Sequence, residues 1–483
     1  MMIKNIKMKK TYILLAVLIM TSAVSCKKFL QEDAYDFVSQ GNFYQTEGDA
    51  NAALNGVYNI MQLQQYYGRT VWILNDLTGD QMKVGLPQTN RPELYSQTYT
   101  STNGEISNWW TNSYVLINRA NDVIQNVENS TTLATAPRNN ITGNAKFLRA
   151  LAYFDLVRSF GDVPLLVKPT QASDDVKVSR TPVKAVYAQI IEDLIYAAAN
   201  CTPEPQIPSA SKGRVSSGAA SALLAKVYLT RASTAAAAET TDYQSALTEC
   251  NKVIAAGASV YTLLPFADVF NPDKKTTNKE EIFAVQFGLP PSTGTITPRM
   301  HLPKAVAPFD GNEAFYVENA FALSYATNDT RRNATIGAVP GTNNFYYLKF
   351  TDSQRQGNNA RNNWVILRYA DVLLMQSEAL NQINSGDATK FTGINLVRAR
   401  AGLTPLSFST TAGKDDFITA LVDERGWEFA AEGQRRYDLL RLGRMKQQQL
   451  KLHNITLDDK YLLMPIPETE RTLNSNLTQN PGF

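Results

Sequence analysis

One segment of the chain carries an apolar surface too broad for an ordinary surface helix. Its residues recur at helical spacing in two adjacent stripes: Phe147, Ala150, Leu151, Phe154 and Val157, and then Leu148, Ala152, Leu156 and Phe160. A helix that is apolar over so wide an arc has to pack against neighbours on more than one side. Gly161 and Pro164 then end it. The segment therefore predicts a helix at the centre of a helical assembly.

Four further segments show the same periodicity. They are marked by Ala53, Val57, Ile60 and Met61; by Tyr114, Ile117, Ala120, Ile124 and Val127; by Ala220, Leu223, Leu224 and Val227; and by Tyr243, Ala246, Leu247, Cys250, Val253 and Ile254. Ser216 or Ser217 is a candidate N-cap for the third, and Gly257 closes the fourth. The helices come in pairs with small residues at their contacts, which resembles tetratricopeptide-like hairpins, although the full repeat consensus is absent.

Between about residues 261 and 363 the helical periodicity fades, and Pro, Gly, Asn and Thr become frequent. Short strand-like runs occur at residues 282–287, 345–350 and 364–367. A long loop-rich stretch inside a folded chain is typically functional or disordered, and its many aromatic residues argue against disorder. Residues 76–108 have the same character on a smaller scale.

The amino terminus has the order of a secretory signal peptide, with four early lysines, an apolar run and then small residues. Cys26 stands at the expected cleavage point, which indicates a bacterial lipoprotein signal in residues 1–25 and lipidation of Cys26. Ala23 replaces the usual leucine of that motif. Cleavage by an ordinary signal peptidase, or a short uncleaved anchor, are the alternatives.

Composition excludes several classes of protein. The formal charge of +3, less the four lysines of the leader, gives −1 for the mature chain, so net charge gives no argument for nucleic-acid binding. No second apolar run is long enough to span a bilayer. Cys201 and Cys250 could form one disulfide, but Cys250 lies on an apolar helix stripe and is expected to be a buried free thiol.

The sequence also offers little for catalysis. Its two histidines, His301 and His453, lack a neighbouring cluster with metal-ligand spacing, and neither a nucleophile elbow nor a Walker loop is present. Paired carboxylates of a glycosidase stay open, because any two could meet in space. We expect no enzyme, no cofactor and no metal ligand set.

Six ordered motifs carry a family resemblance. They are residues 26–30 (CKKFL); 149–157 (RALAYFDLV) with 161–164 (GDVP); Asp329 with Arg331 and Arg332; 368–374 (RYADVLL) with 377–379, 394–395 and 398–402 (RARAG); Glu424, Arg425, Glu428, Phe429, Glu432, Gly433, Arg436, Asp438 and Leu439; and 464–467 (MPIP) with 479–483 (QNPGF). In this order the chain resembles the SusD/RagB family of Bacteroidota outer-membrane lipoproteins. Residues 474–477 (NSNL) depart from the family's usual Asn-Pro.

The resemblance implies a mainly α protein, with a tetratricopeptide-like helical-hairpin scaffold, a large loop-rich ligand-binding face and a few short β-strands. It implies a surface-exposed lipoprotein of the cell outer membrane that captures a nutrient, most often an oligosaccharide, for a SusC-like TonB-dependent transporter. The expected division is a signal peptide (1–25), an N-terminal helical part (26–260), a loop-rich insertion (261–365) and a C-terminal part (366–483) that completes one compact domain.

Charged residues within the motifs are expected to be structural. Arg149, Arg368, Arg398, Arg425, Glu424, Glu428, Asp438 and Arg441 lie among apolar helix positions. Buried charges have to pair, because an unpaired one costs several kcal/mol. An anionic ligand site is the alternative for these positions, and the same holds for Asp371 and Glu378.

Aromatic and amide side chains in the two loop regions are the candidate ligand contacts, because rings stack on the flat faces of sugars and amides or carboxylates bind the hydroxyls. The first region offers Trp72, Asn75, Asp76, Asp80, Arg91 and Tyr95, and the second offers His301, Phe309, Asn312, Phe315 and Tyr316. For each aromatic residue the alternative is a loop anchor packed on the scaffold, and Trp109 and Trp110 are expected in the core. Alternative functions are capture of a peptide or other nutrient, a transporter lid with little ligand affinity, and a surface glycosidase.

The anchor can be tested by replacing the thiol that would carry the lipid. Cys26→Ala should release the protein from the membrane fraction, because acyl chains supply about 0.8 kcal/mol of membrane affinity per buried methylene. Fractionation with lipid labelling measures this. A variant that stays membrane-bound and labelled would contradict lipidation at Cys26.

Overall fold

The computed structural model describes residues 43–86, 90–171, 173–304 and 310–483. The predicted signal peptide, Cys26 and Phe309 lie outside these residues. Eighteen α-helices occur in the described chain. They are α1 Glu47–Met61, α2 Thr70–Leu77, α3 Arg91–Tyr95, α4 Gly104–Glu128, α5 Thr135–Phe160, α6 Val183–Asn200, α7 Ser217–Ala232, α8 Asp242–Ala255, α9 Phe266–Val269, α10 Thr297–His301, α11 Asn319–Ala322, α12 Arg331–Thr335, α13 Tyr369–Ile383, α14 Lys390–Arg400, α15 Lys414–Glu428, α16 Arg435–Arg441, α17 Met445–His453 and α18 Glu468–Leu473.

Successive long helices pack side by side and form the scaffold. Helix α4 packs on α5, α5 on α6, α6 on α7 and α7 on α8, and the row continues from α8 to α13 and α14. Helix α5 is the central helix expected from its two apolar stripes, and eighteen of its residues are buried. Gly161 ends it with φ +74°, a conformation that favours glycine. Ser216 caps α7 by accepting a hydrogen bond from the backbone N–H of Ala219.

Two small antiparallel sheets interrupt the helices. Their strands are β1 Met82–Val84, β2 Glu281–Val285, β3 Phe315–Val317, β4 Ile336–Ala338, β5 Phe345–Tyr347 and β6 Trp364–Arg368. The four-stranded sheet has the order β1-β3-β5-β4, and β2 pairs with β6 in the other. The three strand-like runs of the sequence correspond to β2, β5 and β6, although β2 and β5 end two and three residues earlier than predicted.

The core contains the residues assigned to it from the sequence. Trp109 and Trp110 are buried in α4, and Phe147 meets Phe283 of β2 at a ring-centroid distance of 4.8 Å. Cys201 and Cys250 are both buried and unpaired. The prediction of a buried free thiol at Cys250 is therefore confirmed, and the alternative of a disulfide between the two is wrong.

The charged motif residues form a buried ion-pair network. Glu428, at the end of α15, accepts hydrogen bonds from the guanidinium groups of Arg331, Arg368 and Arg400. Arg331 and Arg368 are fully buried, as is Glu428. These contacts extend to five cations and five carboxylates: Arg331, Lys349, Arg368, Arg398 and Arg400 with Glu280, Asp329, Glu424, Glu428 and Glu432. The charges balance, as burial requires.

A second group of ion pairs adjoins this network. Arg425 binds Asp371 and Asp438, Arg441 binds Glu378 and Asp438, and Lys226 binds Asp371. Arg149 pairs with Asp193 between α5 and α6. The expectation of structural pairing holds for every motif charge assigned to it, since each has a carboxylate or cation partner inside the protein.

Glu428→Gln should destabilise the fold by about 3–5 kcal/mol, because it leaves buried guanidinium groups without their shared carboxylate. The arginines hold the pKa of Glu428 well below its usual range despite the opposing effect of burial. Its stabilising contribution is therefore present above the unfolded-state pKa and is lost as pH falls. Chemical denaturation at several pH values measures both effects.

Glu192→Gln is the matched control, because Glu192 is an exposed residue of α6. It should change the free energy of unfolding by no more than about 0.5 kcal/mol. A Glu428→Gln variant as stable as this control would contradict the role given to the network.

Candidate functional site

The four-stranded sheet has one face that combines aromatic, amide and ammonium groups. Lys83 of β1 lies opposite Tyr316 of β3, and Tyr346 of β5 lies opposite Gly337 of β4. Because strand side chains alternate between faces, these four residues share one side of the sheet, and Phe315, Val317 and Tyr347 share the other. We call the first side, together with Asn319 and Asn344, the sheet face.

Lys83 is held by two amides. Its Nζ donates to Oδ1 of Asn319 at 3.0 Å and to Oδ1 of Asn344 at 3.2 Å. Within the described parts of the chain no carboxylate lies within ion-pair distance of this ammonium. The side chain is only partly buried. An ammonium positioned by amide oxygens is not paired with a carboxylate and is available to a hydroxyl or an anion of a ligand.

The position of Tyr346 on the sheet face depends on a glycine. A Cβ on Gly337 would lie 2.2 Å from Cζ of Tyr346, so the missing side chain lets the ring lie across β4. Tyr346 is buried, whereas Tyr316 is partly exposed and packs against the small cluster of Leu302, Val339 and Tyr346. Burial and the nearby carboxylate of Glu313 raise the pKa of Tyr316, so its hydroxyl stays protonated at neutral pH.

The two loop regions predicted from the sequence meet at this sheet. The backbone N–H of Gly85 donates to the carbonyl of Ala314 at 2.9 Å, and that of Leu86 donates to the carbonyl of Glu313 at 3.0 Å. A Cβ on Gly85 would lie 2.1 Å from the carbonyl oxygen of Glu313, so only glycine permits this approach.

Four of the predicted ligand residues place their side chains beneath the sheet. The ring of Trp72 is 4.6 Å from His301 and 5.3 Å from Phe315, measured between centroids. All three are almost fully buried, and burial lowers the pKa of His301 to about 4, so it is neutral. Arg91 lies over Phe315 at 5.1 Å and is also buried. These side chains support the sheet from below, and no ligand reaches them without rearrangement.

The acidic residues of the first loop region bind residues at the start of α16 and just before it. Asp80 forms a two-point ion pair with Arg435 at 2.6 and 2.7 Å. Asp76 accepts a hydrogen bond from the backbone N–H of Gly433 at 2.9 Å. Asn75 is buried beside them. Burial raises the pKa of Asp76 to about 8, with Glu432 adding to the shift and the Gly433 N–H opposing it.

The remaining predicted residues are partly exposed. The hydroxyl of Tyr95 donates to Glu318 at 2.8 Å, next to the end of β3. Oδ1 of Asn312 accepts from the backbone N–H of Ala314 and shapes the turn that enters β3. Of the residues predicted from the sequence, Tyr316 is on the sheet face, and Tyr95 and Asn312 are at its margin.

Sequence reasoning missed Lys83, Asn319, Asn344 and Tyr346. The sequence did contain an alternation that is typical of half-exposed strands. A polar residue lies between two apolar ones in Met82–Val84, and a tyrosine does so in Phe315–Val317. The pairing of β1 with β3, separated by more than 200 residues, had no local signal. No group of three or more potential metal ligands occurs among the described residues. In the same part of the chain, no helix is long and apolar enough to cross a membrane.

Comparison with known proteins agrees with this architecture. The model of the SusD family matches residues 312–483, and a model described as "Starch-binding associating with outer membrane" matches residues 28–229. SusD-like protein P2 of Formosa agariphila is 30% identical over 533 residues, which cover 99% of this chain and 100% of the relative. This chain belongs to the SusD/RagB family.

Solved structures of SusD proteins share the fold. A SusD homolog from Bacteroides thetaiotaomicron superposes with a TM-score of 0.80 at 25% identity, over 92% of this chain and 98% of the other. A "Laminarin binding SusD-like protein" gives a TM-score of 0.75 at 28% identity, over 91% of this chain and all of the other. The predictions of the family and of a mainly α, tetratricopeptide-like fold with a few short strands are confirmed.

Asp76→Asn should make the stability of this SusD-family protein less dependent on pH. A carboxyl whose pKa is raised on folding contributes stability below its unfolded pKa, near 3.8, and loses it as pH rises toward about 8. The free energy of unfolding of the variant should therefore rise relative to that of wild type by on the order of 1 kcal/mol per pH unit across that range. Denaturation at pH 5, 6.5 and 8 measures this change. A difference in stability between variant and wild type that stays constant over these pH values would contradict the raised pKa of Asp76.

Proposed function

We propose that this protein captures an oligosaccharide on the sheet face, without catalysis, while Cys26 anchors it to the outer membrane. It passes the ligand to a SusC-like TonB-dependent transporter. Tyr316, Lys83, Asn319 and Asn344 bind the sugar, and Tyr95 and Asn312 contact it from the margin. The buried residues Trp72, Asn75, Asp76, Asp80, Arg91, His301 and Phe315 hold the strands in place, and Phe309 stays a predicted ligand contact.

The observation that carries this proposal is the composition of the sheet face. A tyrosine ring offers a flat apolar surface for the C–H face of a sugar, and the ammonium and amides beside it bind hydroxyl groups. All of these side chains are positioned by strand pairing or by hydrogen bonds within the protein. Such preorganisation reduces the entropy lost on binding.

The relatives support the same class of ligand. One similar solved structure is of a laminarin-binding protein, and one matching family description names starch. Both ligands are glucose polymers, so they share the same ring faces and hydroxyl groups. They make oligosaccharides of laminarin and starch the first probes to use.

Titration of the detergent-extracted full-length protein with laminari- and malto-oligosaccharides tests the proposal. At least one series should bind, and Tyr316→Ala should weaken that binding at least about tenfold, which corresponds to about 1.4 kcal/mol. Tyr316→Phe should bind nearly as well as wild type, because the stacking surface remains.

Tyr196→Ala is the matched control, since Tyr196 is a partly exposed tyrosine on α6 of the scaffold. It should leave the affinity unchanged. Equal loss in both alanine variants would contradict a site on the sheet face. Binding of peptides but of no oligosaccharide would favour capture of another nutrient, and release of reducing ends on incubation would contradict the absence of catalysis.

A further inference from the structure

A second cleft lies on the scaffold and shares no lining residue with the sheet face. It has a volume of about 510 Å³, within the range of small-molecule sites. Helix α1, the turn at residues 210–214 and the last residues of β2 form its walls. We call it the polar cleft.

The wall provided by α1 is a ladder of amides. Asn51, Asn55 and Asn59 recur every four residues and so lie on one side of the helix, with Gln62 at its end. The exposed side of a helix usually carries charged residues. Here the charged residues of α1 are confined to Glu47 and Asp49 in its first turn. Amides both donate and accept hydrogen bonds, as sugar hydroxyls require of a partner.

The opposite wall presents an arginine without a carboxylate. Arg214 donates from Nη2 to Oδ1 of Asn55 at 2.5 Å, and its guanidinium lies 4.9 Å from the ring centroid of Tyr58. Its Nη1 is buried and has no hydrogen-bond partner among the described residues. No ion pair joins Arg214 to a carboxylate in that part of the chain, whereas the neighbouring Lys212 pairs with Glu204.

The walls of the cleft are fixed before any ligand binds. Nε2 of Gln62 donates to the carbonyl of Gln286 at 2.7 Å and ties α1 to β2. Gly213 has φ +94°, and a Cβ there would lie 2.4 Å from Cγ of Gln286. The hydroxyl of Tyr58 donates to Asn144 at 2.7 Å and accepts from the N–H of Val215, which holds the ring beneath Arg214.

We infer that the polar cleft is a second binding site, specific for a saccharide unit that carries an anionic group. The amides of α1 bind its hydroxyls, and Arg214 binds its carboxylate or sulfate. Arg214 lines the cleft and has no carboxylate partner, so an oxyanion placed there receives charge-assisted hydrogen bonds from its guanidinium. This inference rests on the proposed capture of a glycan. It adds that the protein selects acidic sugar units at a separate place on the molecule.

Hydrogen exchange of the detergent-extracted full-length protein tests this inference with three probes: an oligouronate, a sulfated oligosaccharide and laminarihexaose. An acidic probe should slow exchange in residues 51–62 and 210–214, more weakly at high salt because the contact is ionic. Arg214→Gln should weaken binding of that probe at least tenfold. The uronate and sulfate probes distinguish the two sources of negative charge.

Two further variants make the result specific. Asn59→Leu, on the exposed face of α1, should also weaken binding of the acidic probe. This second variant keeps the test valid if Arg214→Gln impairs folding. Arg138→Gln, a substitution of a partly exposed arginine of α5 outside the cleft, should not change it. Tyr316→Ala should leave protection of the polar cleft intact.

The inference would be overturned if laminarihexaose protected residues 51–62 as strongly as the acidic probes do. It would also be overturned if the acidic probes bound only the sheet face. The second result would leave the proposed function standing. Acidic probes that protect the polar cleft when no oligosaccharide binds the sheet face would support the inference and contradict the proposed site.

Discussion

The shared carboxylate of Glu428 is the contact on which the architecture depends most. It receives guanidinium groups from three separate parts of the chain: Arg331 in α12, Arg368 at the end of β6 and Arg400 at the end of α14. Desolvating these charges is expensive, and the cost is offset only when every partner is in place. The network therefore makes the arrangement of helices and loops interdependent, since none of these segments can shift without leaving a buried charge unpaired.

This interdependence extends to the small sheet. Lys349 follows β5 and places its ammonium against Glu432 and the carbonyl groups of Glu428 and Ala430. The N–H of Gly433 reaches back to Asp76 at the end of α2, from which the chain leads to β1. The family motifs thus build a rigid base beneath the strands. Side chains on the opposite side of the sheet, such as Tyr316, take no part in the charge pairing.

The sequence predicted the scaffold well because helices are encoded locally. The apolar stripes around Phe154, the stop at Gly161 and the cap at Ser216 each depend on residues within a few positions of one another. Burial within the loop regions was harder to foresee. Trp72 lies in a short buried helix, and its neighbours His301 and Phe315 come from more than 200 residues away. Lys83 of the sheet face was missed for the same reason, since the register of two distant strands leaves no signal in either one alone.

A crystal structure of the full-length protein with the tightest-binding oligosaccharide of the laminari and malto series tests the central claim directly. The account predicts a sugar ring stacked on Tyr316, with hydroxyl groups within hydrogen-bond distance of Lys83 and of Asn319 or Asn344. An oligosaccharide bound elsewhere, with Tyr316 and Lys83 free of contact, would contradict the assignment of the sheet face as the site of capture.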